Sequence, residues 1–470
     1  MAIAVVVTLL VIGTLVFHFA SPWWFTPIAS NWGMIDDTIN ITFWVTGTVF
    51  VAVNLFLAWC IYKFRTKPGH KAHYEPESKK LEIWLTSITT VGVVAMLAPG
   101  LVVWAEFVNV PDNAIEVEAV GQQWHWSYRY PGNDGEFGDI DVSLMSLENP
   151  FGMDPADPAG MDDVLIADPQ VHLPIDQPVK LLLRSKDVLH NFTVAQFRVK
   201  MDLVPGIDTY MWFTPTREGD FDVLCEELCG MAHHTMRGRV IVESRENFDT
   251  WLAAQPTYSD MQNLAAGNAQ AGKNAFAPCV ACHGQNGEGN LAMNAPKLSG
   301  MDEWYLRKQL SNYKAMKRGA DPSDVLGAQM RGMAATLVDA AAINNVVAYI
   351  GTLDDVQSEA TISGDISHGE DLYQTCVNCH GAKGQGIWDM NAPRIAGMSD
   401  WYTANQLRNF RDGLRGVHPD DFYGQQMAQI SKMLDEDEEI DDLVAYLNTL
   451  SGVAESKHVA SIEGQNHLNK

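Results

Sequence analysis

The chain has 470 residues, a formal net charge of −26 and seven cysteines. This length excludes a single compact domain, because domains usually have about 100–200 residues, and it suggests roughly three domains. The charge bears on partners and solubility rather than on fold. It fits an acidic surface that meets a basic partner, and it fits equally a protein adapted to salt. Six cysteines belong to short motifs and the seventh is Cys60, so no pair remains for a disulfide framework.

Three apolar stretches begin the chain. Residues 2–20 are almost wholly apolar, and no Lys or Arg precedes Lys63. Because a secretory signal peptide has a basic N-terminal region, we predict a retained membrane helix, with a cleaved signal as the alternative. Residues 40–62 and 82–107 are each long enough to span a bilayer.

Positive charge is concentrated between the second and third apolar stretches. The basic residues there are Lys63, Arg65, Lys67, Lys71, Lys79 and Lys80. Residues 21–39 carry no Lys or Arg, and residues 107–150 carry only Arg129. Since an excess of Lys and Arg marks the cytoplasmic side of a membrane, we predict that everything after residue 107 lies outside the cytoplasm. Cys60 is interpreted as a packed small side chain.

From Ile115 to about residue 245 the pattern changes to short alternating segments rich in β-branched and aromatic residues. Such segments, separated by turn residues, predict a β-sandwich. Asn149 to Asp168 is rich in Pro, Asp, Gly and Met and is predicted to form a long surface loop. Residues 252–268 are predicted to be a linker with a helical start.

A dense group of soft metal-binding side chains lies near the end of this β region. Residues 225–236 read Cys-Glu-Glu-Leu-Cys-Gly-Met-Ala-His-His-Thr-Met, and His190 follows a predicted strand upstream. Thiolate, thioether and imidazole donors suit copper. The alternatives are a short Cys225–Cys229 disulfide and a zinc site. Structural zinc sites, however, use four Cys or His ligands in paired spacings, whereas a Glu and a Met occupy fixed offsets here.

This loop resembles the binuclear copper site (CuA) in subunit II of cytochrome c oxidase. The resemblance implies six ligands, namely His190, Cys225, Glu227, Cys229, His233 and Met236. It implies that both sulfurs bridge two copper ions and that each histidine binds one of them. Glu227 would ligate through its backbone carbonyl, and its carboxylate would reach a magnesium ion at the interface with subunit I. His234 matches no ligand position and is interpreted as a neighbour.

The same resemblance gives roles to two further residues. Glu82, in Lys-Leu-Glu-Ile-Trp, is similar to a glutamate at the mouth of a proton channel, although Trp84 stands one residue earlier than in the family. A carboxylate that reaches the lipid headgroups is the alternative. The aromatic run from Gly121 to Tyr130 is similar to one close to the copper. This similarity implies that Trp124 lies at the surface where electrons enter, whereas Trp126 is interpreted as structural.

The C-terminal part contains an internal repeat. Cys279-Val-Ala-Cys282-His283 and Cys376-Val-Asn-Cys379-His380 are separated by 376 − 279 = 97 positions, and the same offset relates their Asn-Ala-Pro, acidic-Trp-Tyr and Ala-Tyr segments. Cys-x-x-Cys-His is the attachment motif of c-type haem, and its histidine binds the iron. We therefore predict two covalent haem c groups in two all-α cytochrome c domains.

The second axial ligand of each haem is predicted to be a methionine, which raises the potential. Equivalent units should use equivalent positions, and three pairs satisfy this condition: Met293/Met390, Met301/Met398 and Met330/Met427. The first pair follows its histidine by only ten residues, which is short for a chain that passes around a haem. Met330 and Met427 each lie 47 residues after the histidine, in a context that resembles the axial methionine of small dihaem cytochromes. We predict Met330 and Met427.

Each repeat ends in an amphipathic helix, and the second of these begins in an acidic run. Residues 435–442 contain seven acidic residues in eight. Such a run is interpreted as a solvated face that complements the helix dipole, with a docking patch for a basic cytochrome as the alternative. The tail after Gly452 is predicted to be disordered.

These patterns, together with what the resemblance implies, predict a multidomain chain with N-terminal transmembrane helices, an all-β cupredoxin-like sandwich and two all-α cytochrome c domains. The expected units are an apolar N-terminal segment (1–25), a two-helix hairpin (26–110), a CuA domain (111–250), two cytochrome c domains (262–355 and 360–452) and a tail (453–470).

The resemblance covers nearly the whole chain and implies subunit II of a membrane cytochrome c oxidase with two fused cytochrome c domains. The departures are the second haem domain and the extra N-terminal apolar segment. Electrons from cytochrome c, or from another periplasmic donor, would pass through haem and CuA to a haem-copper subunit I that reduces oxygen, coupled to proton translocation. The chain has no set of membrane histidines for an oxygen site, so that site is expected in the partner.

Subunit III is a further expected partner, and no nucleic-acid partner is expected. The expected location is the inner membrane of a bacterial cell, with the copper and haem domains on the periplasmic side. Two alternatives remain. One is the corresponding subunit of a nitric oxide reductase, and the other is a stand-alone membrane-tethered electron carrier.

Overall fold

The computed structural model describes residues 2–21, 25–69, 71, 76–145, 149, 151–262 and 267–450. The tail that the sequence predicts to be disordered lies outside the described residues.

Three long apolar helices lead the chain. They are α1 (Ala2–Ala20), α2 (Gly33–Lys63) and α3 (Lys79–Val108), and each is long and apolar enough to cross a membrane. α1 packs against α2, where the rings of His18 and Phe43 lie 6.2 Å apart. Most side chains of the three helices are exposed. Because exposed apolar area is unfavourable in water, these surfaces suit lipid.

The middle of the chain forms two five-stranded sheets. The first has the order β3-β2-β1-β5-β8 and the second the order β4-β10-β9-β6-β7. The strands are β1 (Ile115–Gln122), β2 (His125–Tyr130), β3 (Val164–Ile166), β4 (Gln170–Pro174), β5 (Val179–Ser185), β6 (His190–Val194), β7 (Val199–Leu203), β8 (Thr209–Phe213), β9 (Gly219–Cys225) and β10 (Arg237–Glu243). Alternation places Val179, Leu181 and Leu183 of β5 in the core. The predicted β-sandwich is confirmed.

A buried arginine organises one end of the first sheet. The Arg129 guanidinium donates hydrogen bonds to Glu118 at 2.6 Å and to Asp163 at 3.1 Å, and all three side chains are almost fully buried. Arg184 pairs with the other oxygen of Glu118. Buried charges require such partners, since an isolated ion in a protein interior is strongly unfavourable. This network fixes β1, β2 and the segment that leads into β3.

The segment from Asn149 to Asp168 is not the surface loop that the sequence predicts. Phe151 and Met153 are buried in a small hydrophobic cluster with Tyr258, and the same segment contains β3. The prediction was wrong because Pro, Asp and Gly dominate the local composition. The contacts that fold the segment inward are made with residues distant in sequence.

The region after the β-domain begins with two short helices, α4 (Arg245–Ala253) and α5 (Tyr258–Gln262). Phe248 of α4 is buried in the β-domain core, and Tyr258 of α5 donates a hydrogen bond to the carbonyl of Met153 at 3.3 Å. Much of the predicted linker is therefore packed against the β-domain.

Two helical repeats follow. The first contains α6 (Ala269–Phe276), α7 (Val280–His283), α8 (Glu303–Lys314), α9 (Val325–Ala334) and α10 (Ala340–Ile350). The second contains α11 (Ile366–His380), α12 (Asp400–Arg411), α13 (Phe422–Ser431) and α14 (Asp437–Leu447). A glycine permits the close crossing of the first and last helix in each repeat. A Cβ at Gly272 would lie 1.8 Å from the Asn345 carbonyl oxygen, and one at Gly369 would lie 2.1 Å from that of Asp442. The predicted cytochrome c folds are confirmed.

The acidic run at residues 435–442 is largely engaged within the second repeat. Asp437 pairs with Arg411 at 2.8 Å, and Asp441 pairs with Arg408 at 2.7 Å. Glu436 and Glu439 form a capping box at the start of α14, which satisfies backbone donors there. These contacts favour a structural role for the run over a docking patch.

We predict that Arg129→Met destabilises the β-domain by about 3–5 kcal/mol, because the carboxylates of Glu118 and Asp163 would lose their buried partner. The thermal midpoint, followed by tryptophan fluorescence, should fall by roughly 10 °C. The exposed Arg217→Met is the matched control. Equal stability of the two variants would contradict the role of the network.

Candidate metal centre and haem cavities

Strand pairing places the soft donors at one end of the second sheet. β6 and β9 are antiparallel, with Phe192 opposite Cys225, so His190 at the start of β6 lies beside the end of β9. The connection from β9 to β10 carries the other donors, and the Cys225 amide donates to the Met236 carbonyl at 3.3 Å to close the loop.

All six ligands predicted from the sequence converge there. The Cys225 sulfur lies 3.9 Å from His190 Nδ1 and 3.3 Å from the Glu227 carbonyl oxygen. The Cys229 sulfur lies 3.4 Å from His233 Nδ1 and 3.8 Å from the Met236 sulfur. The two cysteine sulfurs are 3.8 Å apart, well beyond the roughly 2.05 Å of a disulfide bond.

The donor set fits copper. Each sulfur has its own histidine, and a thioether and a carbonyl oxygen complete the group, as expected for soft and borderline ligands of two linked copper ions. The contact between the two cysteine sulfurs lowers the pKa of Cys225, which favours a thiolate ligand at this position. His234, by contrast, is exposed, as expected for a neighbour rather than a ligand.

Asp187 is a supporting residue that the sequence reasoning missed. Its carboxylate lies 2.7 Å from His190 Nε2 and also accepts a hydrogen bond from the backbone N–H of Gln123 at 2.6 Å. Because Nε2 is engaged, Nδ1 is left facing the Cys225 sulfur. A carboxylate behind a ligating histidine commonly fixes its ring orientation. Its position three residues before His190 was a usable sequence signal.

Trp124 lies directly behind the metal-binding loop. Its indole Nε1 donates to the Cys229 carbonyl at 3.2 Å, and Gln123 Nε2 donates to the same oxygen at 2.6 Å. The side chain is only 6% exposed. Trp124 is therefore next to the metal site, but it does not lie at a free surface as the sequence implied.

The second helical repeat covers this region. Gln426 Nε2 donates to the Trp124 carbonyl at 2.5 Å, and the Tyr423 ring stacks on His125 with centroids 4.6 Å apart. Cys379 and Met390 also pack against the β-domain core. The Cys-x-x-Cys-His motif of the second repeat thus lies against the metal domain. No local motif marks these contacts in the sequence.

Each helical repeat contains an apolar cavity that holds its motif residues. The first cavity is lined by Cys279, Cys282, His283 and Met330. The second is lined by Cys376, His380 and Met427, and Cys379 lies at the contact with the β-domain.

The two motif histidines are held in the same way. His283 Nδ1 donates to the Pro296 carbonyl at 2.8 Å, and His380 Nδ1 donates to the Pro393 carbonyl at 2.7 Å. This contact gives the repeated Asn-Ala-Pro segments a function. Burial lowers the pKa of both imidazoles, so each is neutral at pH 7 with Nε2 free for a metal. Both therefore fit an iron ligand.

The residues that line the cavities reduce the candidate axial methionines from three equivalent pairs to two. Met301/Met398 and Met330/Met427 line the cavities as equivalent pairs, whereas Met293 lines the first cavity and its counterpart Met390 packs against the β-domain. Met333 also lines the first cavity, but its counterpart is Ile430.

Two buried arginines lie between the cavities. Arg318 donates to Tyr402 Oη at 2.7 Å, and its counterpart Arg415 donates to Tyr305 Oη at 2.9 Å. Gln309 and Gln406 accept the remaining hydrogen bonds recorded for the two guanidinium groups. Among the described residues, these partners are all neutral, and a buried cation favours an anionic neighbour. The carboxylates of haem supply such anions, so the cavities fit haem.

Glu82 is far from these sites. It is exposed in the first turn of α3, 108 − 82 = 26 residues before the helix ends at Val108. At 1.5 Å per residue this separation is about 39 Å. Its implied role in proton uptake is therefore separate from the metal site and stays a prediction.

Each of the two parts of this architecture, the β-domain and the helical repeats, is similar to known proteins. Residues 115–244 match the family "Cytochrome C oxidase subunit II, periplasmic domain", and residues 269–354 and 366–451 each match "Cytochrome c". The alternative cytochrome c oxidase subunit 2 of Bradyrhizobium diazoefficiens is 58% identical over 266 residues, which cover 57% of this chain and 96% of that protein. Cytochrome c oxidase subunit 2 of Cereibacter sphaeroides is 29% identical over 239 residues, covering 48% of this chain and 77% of that protein.

A solved structure is similar to part of the chain. Reduced cytochrome c4 from Pseudomonas stutzeri is 30% identical and covers 39% of this chain and 100% of its own, with a TM-score of 0.33.

We predict that Asp187→Ala weakens copper binding by about 10- to 100-fold, because His190 would lose the carboxylate that orients it. Competition with a copper chelator measures this change. Asp220→Ala, an exposed change on β9, is the control and should bind copper like the wild type. Unchanged affinity in Asp187→Ala would show that His190 does not need this support.

Proposed function

The chain belongs to the cytochrome c oxidase subunit 2 family, and we propose that it relays electrons from its cytochrome c domains through the copper site to the catalytic subunit of the oxidase. Its relatives are oxidase subunits, and their match does not favour the nitric oxide reductase or the stand-alone carrier. The observation that carries the proposal is the convergence of His190, Cys225, Glu227, Cys229, His233 and Met236 beneath a docked cytochrome c domain.

The assignment of cofactors rests on the donor groups. The six converging residues would hold binuclear copper. The two Cys-x-x-Cys-His motifs, with Met330 and Met427, would hold one haem c in each repeat. When bound, these groups supply one-electron redox chemistry at potentials that the protein sets.

The protein's own contribution is to hold donors rigidly, exclude water and bring the sites close together. Cys225, Cys229 and Met236 are buried, so the ligands need little rearrangement when charge changes. The contacts of Trp124 and Gln123 with the Cys229 carbonyl connect the metal-binding loop to the surface covered by the second repeat. Trp124 thus provides a direct covalent and hydrogen-bonded path between the two domains, and this supports its role in electron transfer.

The outer side of the metal-binding loop supports a contact with the catalytic subunit I. Leu228 is 78% exposed, and Met231 beside it is also exposed. Exposed apolar residues on a rigid loop are typical of a protein interface. Glu227 lies next to Leu228, and we propose that its carboxylate reaches a magnesium ion at this interface. Subunit III is proposed as a further partner, and cytochrome c or another periplasmic protein as the electron donor.

The membrane arrangement is proposed from charge and helix length. The three apolar helices would place the chain in the bacterial inner membrane. The basic loop between α2 and α3 would be cytoplasmic, and the metal domains would be periplasmic. Glu82, close to the basic loop, is then on the side from which protons are taken up.

The unit boundaries predicted from the sequence are kept as a proposal, with one change. The β-domain is extended from residue 250 to Met261, because Tyr258 is fully buried against it and Met261 packs in the same cluster.

We predict two coppers and two covalent haems in each purified chain. Cys225→Ser should lose the mixed-valence copper signal and keep both haems, because it removes one of the two cysteine sulfurs that would hold the coppers. Metal analysis with electron paramagnetic resonance checks both outcomes. Cys60→Ser, which lies in α2, is the control. Two haems with no copper, or with a single zinc, would contradict the copper assignment.

We predict that Met330→Leu and Met427→Leu each remove a sulfur that would bind the iron of one haem. The midpoint potential of that haem should fall by on the order of 100 mV, since axial ligands set potentials over about 0.8 V. Redox titration followed by optical spectroscopy measures the change. Met301→Leu and Met398→Leu are the matched controls. If the midpoint potential fell only in these controls, Met301 and Met398 would be the ligands instead.

A further inference from the structure

The two repeats present equivalent faces to different surroundings. In the second repeat, the face beside the haem cavity contains Trp388, Met390, Phe422, Tyr423 and Gln426, all of them half-buried. Tyr423, Gln426 and Met390 make the contacts with the β-domain described above. This face is therefore the one through which the second repeat meets its redox partner within the chain.

The counterpart in the first repeat is uncovered. Subtracting the repeat offset of 97 from the same positions gives Leu291, Met293, Val325, Leu326 and Gln329, which we call the rim. Leu291, which does not line the haem cavity, is 53% exposed. Four of the five rim residues are apolar and none is charged. All except Leu291 also line the first haem cavity, so the rim surrounds the opening of that cavity.

An exposed apolar ring of this kind favours a partner that buries it. The equivalent face of the second repeat shows what kind of partner fits, since it is covered by a domain that accepts electrons. We propose that the rim is the docking surface of a soluble one-electron carrier protein, and that this carrier delivers its electron to the first repeat. This inference rests on the proposed function of the chain as an electron relay.

The proposal fixes the order of the relay. The first repeat receives the electron, the second repeat accepts it across the interface formed by Arg318, Tyr402, Arg415 and Tyr305, and the copper domain accepts it through the surface at Trp124. Each encounter oxidises the carrier by one electron and reduces the first repeat by one. No covalent bond forms or breaks, and the oxidase reaction in the catalytic subunit finally removes the electron.

The chemistry of the rim also describes the carrier. Its own cofactor edge should be surrounded by apolar side chains, because the rim offers no charged group for pairing. A carrier of net positive charge would approach faster, since the chain has a net charge of −26. Charge would then govern the encounter rate, and apolar contact would govern the docked complex.

The test compares a protein donor with a small donor in the complete, detergent-solubilised complex. In Leu291→Glu, a buried charge without a partner would disfavour the docked state. The second-order rate constant for haem reduction by a soluble monohaem cytochrome c, measured by stopped flow, should fall by about tenfold or more. Reduction by ascorbate with a small phenylenediamine mediator, which needs no docking, should be unchanged.

Two further variants complete the design. Val356→Glu introduces the same charge at a site between the repeats that is 68% exposed, and it should behave like the wild type with both donors. Leu326→Glu should reproduce the loss with the protein donor, and its haem spectrum reports whether the cavity is intact.

An unchanged rate with the protein donor in both rim variants would overturn the proposal, because the carrier would then dock elsewhere. An equal loss in Val356→Glu would overturn it as well, since the loss would then not depend on a substitution within the rim. Haem reduction is read independently of oxygen consumption. A wild-type complex that accepts electrons from the protein donor but consumes no oxygen would therefore count against the proposed oxidase function and not against the rim.

Discussion

The structure depends on the antiparallel pairing of β6 with β9. This pairing brings His190 beside Cys225, although the two residues are 35 positions apart. The hairpin from β9 to β10 then adds Cys229, His233 and Met236 on a loop closed by a backbone hydrogen bond. His190 and Cys225 stand on paired strands and the other donors on the loop that leaves β9, so the fold sets the positions of the ligands. The second repeat docks on the back of the same loop, so one strand pairing positions both the metal ligands and the surface that receives electrons.

The sequence predicted most of what is local. The cysteines, histidines and methionine of the metal-binding loop lie within twelve residues, apart from His190, and the haem attachment motifs are five residues long. The spacing of these residues within short motifs is enough to indicate metal and haem binding. Comparison of the two copies of the repeat also limited the axial candidates to three equivalent pairs of methionines.

Contacts between distant segments could not be predicted. Tyr423, for example, meets His125 from another domain. The segment around Met153 was predicted as a loop from its composition, yet it folds inward around the Arg129 network and Tyr258. Trp124 lies next to the metal-binding loop, but the domain that covers it is encoded 302 positions later. These contacts depend on which segments pack together in the folded chain. A single sequence gives the residues of each segment but not the segment that it packs against.

The reciprocal contacts of Arg318 with Tyr402 and of Arg415 with Tyr305 make the tandem repeats equivalent to a two-fold symmetric dimer joined into one chain. In a true homodimer every substitution appears twice, so a surface cannot be altered on one protomer alone. Fusion removes that restriction. After duplication, the central contact could remain symmetric while the outer faces diverged, with Leu326 in one copy and Tyr423 at the same position in the other. A single ancestral binding face could in this way become two faces with different partners, one fixed within the chain and one open to exchange.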